Sequence, residues 1–372
     1  MHNSDFITSN ANSKKIFLCY IYSKHHFTLS TGEKKVEITY TSTDRQFFEK
    51  YLDDFIPEKL FDMHVHLWTE AGQEHLPATD DPLRYEAGVK EVNDWHSQLF
   101  PDRECHNLLL GTPVKEINVR NHNLFLEQEV QKDPLSIAGM LVTPAESPEY
   151  LAQCFEKGLF HSVKPYRLFA PDPAEARITE YLPESQIEVI DHYKRAVTLH
   201  LSMKDGISSP LNLKELSYLT GRYPNVKWIL AHCARAFNAN FLAGVIDILK
   251  DLPNIFYDTS AVNDLYTHCL LLKHENINRI MFGSDGIVAG GMHGKYITYA
   301  DAWQYYPGAE KLEHCRSASV TVVYEQLLQQ KRAADILSLS QEDIQKLFWG
   351  NAVHFIQDLK SVSIPATTKK KF

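Results

Sequence analysis

From residue 60 onward the chain alternates short apolar, β-branched runs with longer amphipathic stretches, the rhythm of repeated βα units around a parallel sheet. Strands are predicted at Leu60 to Leu67, Asn107 to Thr112, Ser136 to Val142, Ser162 to Tyr166, Ala196 to Leu201, Val226 to His232, Ile255 to Ser260 and Arg279 to Gly283. Helices are predicted between them, among others at Val114 to Lys132, Pro148 to Lys157, Glu184 to Tyr193, Leu213 to Tyr223, Phe241 to Lys250 and Leu265 to His274. Several begin after Pro, Asn or Asp and stop near Gly or Pro, where helix ends are favoured. Such a succession closes most naturally into a (β/α)8 TIM barrel, with a doubly wound open sheet as the alternative.

The first 59 residues read differently. A polar arm to Lys15 precedes Phe17 to Tyr22 and Lys35 to Tyr40, which are expected to pair as a hairpin across Ser30-Thr31-Gly32-Glu33. A helix from Ser42 or Thr43 to Phe55 then leads through Pro57 into the first strand. The expected organisation is an N-terminal extension (1–59), a barrel (60–360) and a charged tail (361–372) holding Lys369, Lys370 and Lys371. Two connections are long, Trp68 to Arg103 and Asp285 to about Ser317. Both follow strands, on the side where barrel loops build active sites.

Composition narrows the class of ligand. The 372 residues are 44% hydrophobic and 23% charged, and no apolar run approaches the roughly 20 residues of a membrane span. A formal charge of -9 argues against grip on nucleic acid or an anionic membrane, leaving a small molecule as the expected partner. Six cysteines without a disulfide rhythm are expected to be reduced, in a cytoplasmic protein. The apolar stretch Ile16 to Ile21 is too short for a signal segment. A homodimer through outer helices or the N-terminal hairpin is the quaternary arrangement considered.

The segment Phe61-Asp62-Met63-His64-Val65-His66-Leu67 carries the chemistry. On a strand alternate side chains share a face, so His64 and His66 are expected to project together into the barrel, with Met63 and Val65 toward the helices. One His-x-His among 18 histidines is weak evidence by itself. Three further strand ends place His200, His232 and Asp285 in the same register, where a buried polar group is costly unless paired, hydrogen-bonded or metal-bound. Three imidazoles and one carboxylate suit a single divalent ion, zinc best, with manganese or iron as alternatives. Such an ion lowers the pKa of a bound water and polarises a carbonyl.

These motifs resemble the amidohydrolase superfamily, in its amidohydrolase-related branch of mononuclear hydrolases and decarboxylases. The resemblance rests on FDMHVHLW, VTLHLS, WILAHCAR, RIMFGSD and DIQKLFWGNAVHFI, spread in the expected order over about four-fifths of the chain. It implies that His64, His66, His200 and Asp285 bind the metal and that His232 is the nearby acid or base. Asp285 would double as proton acceptor. Lys164 falls where binuclear members carry a carboxylated, metal-bridging lysine. Because many members of this branch are mononuclear, Lys164 or Arg167 is expected instead to bind a substrate carboxylate or phosphate, with the carboxylated bridge and an ordinary ion pair as the alternatives.

Arg235 and Arg316 lie in upper loops and are candidates to face an anionic substrate. Cys233 reads as a small buried apolar residue rather than a nucleophile, and Trp68 as a pocket wall. The expected activity is hydrolysis of an amide, ester or lactone in a small, carboxylate-bearing molecule. A non-oxidative decarboxylase using the same metal site is the alternative. A catalytically silent binding barrel is a third reading, opposed by the retention of so many costly buried polar groups.

Overall fold

The computed structural model describes residues 39–78, 81–308, 312–315 and 317–362. The hairpin expected at Phe17 to Tyr22 and Lys35 to Tyr40 falls almost wholly outside these residues, as does the lysine tail. Helix α1 (Ser42–Tyr51) is opened by a reciprocal cap. Thr41 Oγ1 accepts the Asp44 N–H at 3.2 Å, and Asp44 accepts the Thr41 N–H at 2.8 Å. It stops short of Phe55, and Leu52, Phe55 and Ile56 turn inward to join the core.

Eight parallel strands follow, each beside its neighbour in sequence. They are β1 (Lys59–Leu67), β2 (Glu104–Gly111), β3 (Ile137–Val142), β4 (Phe160–Pro165), β5 (Ala196–Leu199), β6 (Lys227–Leu230), β7 (Ile255–Asp258) and β8 (Ile280–Met281). The ring closes because Met63 donates to the Phe282 carbonyl at 2.9 Å and His66 to that of Gly286 at 2.8 Å. Val65 also bridges Gly286 in parallel register. The fold is therefore the (β/α)8 barrel and not the open sheet. Strands β5, β6 and β8 end earlier than expected, which leaves His200, His232 and Asp285 just beyond them.

The outer layer comprises α2 (Val89–Leu99), α3 (Val119–Val130), α4 (Pro148–Glu156), α5 (Glu184–His192), α6 (Pro210–Arg222), α7 (Leu265–His274) and α8 (Val322–Leu337). Helix α2 occupies a segment that reads as one long connection, and it buries Val89, Val92, Trp95 and Leu99. Helix α3 starts later than expected because Asn118 caps it, its side-chain oxygen accepting the Asn121 N–H at 3.0 Å. The helix expected at Phe241 to Lys250 is two short turns, Asn240–Ala243 and Ile246–Leu249, broken at Gly244-Val245. The long connection after β8 folds into an antiparallel hairpin, β9 (Lys295–Tyr299) and β10 (Ala302–Tyr306).

Two apolar layers result. Val65, Leu67, Leu109, Val197 and Leu230 pack outward against helices. Phe61, Met63, Leu108, Leu110, Ile229 and Met281 fill the barrel with residues of the last helix, α9 (Asn351–Ser361). Met63 thus faces the lumen and not the helices as alternation suggests. The register shift between Asp62 and Val65 reverses the phase of β1 there. Helix α9 plugs the N-terminal end, with Arg195 donating to the Leu359 carbonyl at 3.0 Å and Asn351 to that of Ile280 at 2.8 Å. The opposite end is left for polar residues.

Candidate metal centre

Four imidazoles meet at the C-terminal mouth, each with Nδ1 engaged from behind. The His64 ring reaches Asp258 Oδ2 at 2.9 Å, that of His66 the Gly111 carbonyl at 3.1 Å, that of His200 the Leu201 carbonyl at 2.9 Å and that of His232 the Ser260 carbonyl at 3.0 Å. Carbonyl and carboxylate oxygens only accept, so each Nδ1 carries the proton. A neutral ring then presents a bare lone pair at Nε2. Burial, followed by the Lys164 charge, holds His66 well below its ordinary pKa, and burial followed by His232 does the same for His200.

Two of those lone pairs face each other. His64 Nε2 and His66 Nε2 are 3.2 Å apart, and Asp285 Oδ1 stands 3.5 and 3.6 Å from them. Acceptors gathered this closely repel unless a cation or proton lies among them; the Lys164 Nζ on His64 Nε2 supplies part of that charge, and the donor set fits a divalent ion. Lys164 is fully buried, with Nζ 3.0 Å from His64 Nε2, and burial brings its pKa down to about 8. His200 is outside this tight group but adjoins it, its ring 5.2 Å from that of His232 and 4.8 Å from that of Tyr166.

Asp258, at the end of β7, is a residue sequence reasoning passed over. It is wholly buried and accepts from the His64 ring, the His232 N–H at 3.1 Å, the Ser260 N–H at 3.1 Å and the Ser260 hydroxyl. Burial alone raises a carboxylate's pKa. The neighbouring His64 overrides it and holds Asp258 far below the usual range. Its position in the same register as the other strand ends was the available signal. Asp62 works similarly behind β1, accepting from His64 N–H at 3.1 Å, Ser284 N–H at 2.9 Å and the His96 ring at 3.1 Å.

His232 stands on an unusual backbone. His232, Cys233, Ala234 and Arg235 have φ of 58°, 51°, 63° and 59°, a left-handed turn built without glycine. Left-handed helical residues cost roughly 1–2 kcal/mol each when they carry a Cβ. Compensation comes from the Asp258 carboxylate on the His232 N–H, from the Ala236 N–H on the His232 carbonyl at 3.1 Å, and from Arg235, which donates to the Met203 carbonyl. Gly206 backs the turn with φ +51°, where a Cβ would come within 3.1 Å of the Arg235 carbonyl. Cys233 is buried, and burial pushes its thiol pKa well up, in keeping with an inert residue.

The surroundings are asymmetric. On the β4 to β6 side stand Tyr166, Arg167 and Arg235; burial, then Arg167, brings the Arg235 pKa down to about 10. On the other side an aromatic wall runs outward from His232, through Phe237 at 5.4 Å to Trp303 of the hairpin, stacked at 4.3 Å. Asn238 pins the hairpin tip, donating to the carbonyls of Ala300 at 2.8 Å and Ala302 at 3.0 Å. Trp68 is placed elsewhere than expected. It is 2% exposed in the helix-facing core, and its indole N–H is spent on the Tyr85 carbonyl. It clamps the β1 connection instead of facing a pocket.

The amidohydrolase family model matches residues 61–356, from β1 into α9 and across all the groups just described. The chain belongs to the amidohydrolase family. No curated protein matches its sequence. Solved structures similar to this amidohydrolase include one named amidohydrolase II, 13% identical with a TM-score of 0.51 over 81% of this chain and 99% of that one. Another is a probable 2-pyrone-4,6-dicarboxylic acid hydrolase from Acinetobacter baumannii with citric acid bound, 12% identical, TM-score 0.53, covering 80% and 99%. A 5-carboxyvanillate decarboxylase from Novosphingobium aromaticivorans, complexed with manganese, is 13% identical at TM-score 0.49, covering 88% and 100%. At such identities the likeness is one of fold. Among the described residues no helix is long and apolar enough to cross a membrane.

Proposed function

We propose that this amidohydrolase is a metal-dependent hydrolase of a small, carboxylate-bearing molecule, cleaving an amide, ester or lactone with one divalent ion, zinc by donor chemistry. The observation that carries the reading is the approach of the His64 and His66 Nε2 atoms to 3.2 Å, with Asp285 Oδ1 beside both and Lys164 Nζ on His64 Nε2. His64, His66 and Asp285 would hold the ion, with His200 as a further ligand from the adjoining ring. The ion would supply a Lewis acid and acidify a water molecule at the mouth.

The chain's own groups supply the rest. Asp285, 16% exposed in its side chain, faces the mouth and takes a proton from the attacking water. His232, its Nδ1–H fixed on Ser260, presents an unprotonated Nε2 that receives the proton taken up by Asp285 and passes it on to the leaving group. Lys164, against His64, steadies negative charge on the substrate's reacting end. Asp258 keeps His64 in the tautomer that leaves Nε2 free.

The test is metal content of the purified chain by plasma mass spectrometry, with turnover of ester, lactone and amide panels. One equivalent per chain, lost in His64→Ala together with hydrolysis, is expected. Turnover that survives complete metal loss would refute the reading. Carbon dioxide release without hydrolysis would replace it with decarboxylation, and two equivalents would make Lys164 a carboxylated bridge.

A further inference from the structure

We propose that Arg167 and Arg235 form a carboxylate-binding subsite on the β4 to β6 side of the histidine cluster, so that the substrate is an organic acid held by its carboxylate at a distance from its reacting group. The inference rests on the hydrolase reading for what happens at the cluster, but the subsite itself stands on separate observations. Arg167 follows Lys164 by three residues, and Arg235 follows His232 by three, so both leave the ends of site-bearing strands. Arg167 Nη1 donates to the Pro173 carbonyl at 2.8 Å, and Arg235 Nη1 donates to that of Met203. Met203 N–H in turn donates to the Ala174 carbonyl at 3.0 Å. The two guanidiniums are thus fastened to segments that are bonded to each other.

Neither guanidinium is in ion-pair contact with a carboxylate among the described residues, Glu175 acting on Arg235 only from farther off, whereas the nearby Arg177 pairs with Glu215 at 3.1 Å. Arg235 is only 9% exposed, and the Nε of Arg167 is buried without an acceptor. A guanidinium carries five donors in a rigid fork, and each of these two commits one nitrogen to a backbone carbonyl. A nearly buried guanidinium that feels a second, half-buried one and keeps donors unspent is costly unless an anion completes the pair. The planar fork matches the two oxygens of a carboxylate. The Tyr166 ring, between Lys164 and Arg167 in sequence, lies 4.8 Å from that of His200, which links this side to the cluster.

The probes are isophthalate, its neutral diamide and inorganic phosphate, titrated calorimetrically into the full chain with and without metal. Isophthalate is expected to bind, the diamide not to, and Arg167→Met and Arg235→Met each to weaken isophthalate at least ten-fold, about 1.4 kcal/mol. Arg235→Met also removes a support of the left-handed turn, so the unmutated protein gives a second measurement. Isophthalate should slow phenylglyoxal modification of Arg167, read by mass spectrometry. Unchanged isophthalate binding in a folded Arg167→Met chain, or binding of phosphate in its place, would overturn the subsite. If that chain keeps its metal and hydrolyses neutral esters, the hydrolase reading survives. A chain that takes up no metal yet loses isophthalate binding in Arg167→Met would keep the subsite and sink the hydrolase.

Discussion

Replacing Asp258 with Asn changes few atoms and tests whether the carboxylate governs the metal centre through His64. In the native chain one carboxylate oxygen accepts the His64 Nδ1–H at 2.9 Å while the other accepts two backbone N–H groups at 3.1 Å. An asparagine can keep its carbonyl on the backbone pair, but its NH2 then points at the His64 Nδ1–H. Two donors cannot share that bond, so His64 moves its proton to Nε2 and loses the lone pair facing His66. Loss of such an orienting partner typically lowers metal affinity 10–100-fold, which is about 1.4–2.7 kcal/mol. Competition with a chromogenic chelator measures that affinity directly. The fold should persist, since the backbone bonds of His232 and Ser260 remain. Unchanged metal affinity in Asp258→Asn would refute the argument that the carboxylate sets the tautomer. Collapse of the fold would show instead that its charge is structural.

Three further outcomes follow from other parts of the molecule. The His106 ring meets Asp133 at 2.8 Å; despite its burial Asp133 is brought down to about 2 by His106 and Ser136, while Asp133 in turn raises His106. Stability from Asp133 is present above its ordinary pKa of about 3.9 and lost as pH falls through about 2; that from His106 is present below about 6.5 and lost as pH rises through its raised value. Urea midpoints of the native chain should therefore exceed those of His106→Gln most between about pH 4 and 6.5, and a constant gap up to pH 9 would contradict the pair. Stripping the metal with a chelator should lower the melting temperature, and restoring zinc at about 100 times its Kd should return about 2.7 kcal/mol, with no such return in His64→Ala. Phe355→Ala, in the α9 plug, should cost about 3–5 kcal/mol in denaturant unfolding yet leave metal content per folded chain unaltered; a parallel loss of metal would show that the two ends of the barrel are coupled.

Much of the barrel was legible because its strands are buried on both faces and read as compact apolar runs between capped helices. What escaped the reading did so for local reasons. Helix α2 carries Val89, Val92, Trp95 and Leu99 at helical spacing, but its place after the strand that carries His64 and His66 suggested a loop. The inward turn of Met63 depends on a register shift that alternation does not reveal. Asp258 acts on His64 across 194 positions, a contact that only closure of the barrel creates. The left-handed turn contains no Gly or Asn to announce it. Trp68, judged by its neighbours in sequence, looked like a pocket wall, and the Tyr85 carbonyl that captures it lies in the following connection.

That turn ties two duties together. His232 and Arg235 sit on the same four-residue kink, one beside the histidines and one on the flank where an acid would be gripped, so a substitution that relaxes the kink displaces both at once. Lineages of this barrel would therefore find it hard to retune proton handling and substrate grip independently through β6. The hairpin after β8 lies outside the kink, held instead by the Phe237–Trp303 stack, by the Asn238 and Asn240 amides at its tip and by the Asn263 side chain on the Tyr296 N–H. Diversification of substrate shape should accumulate in the hairpin, while the kink changes only as a unit.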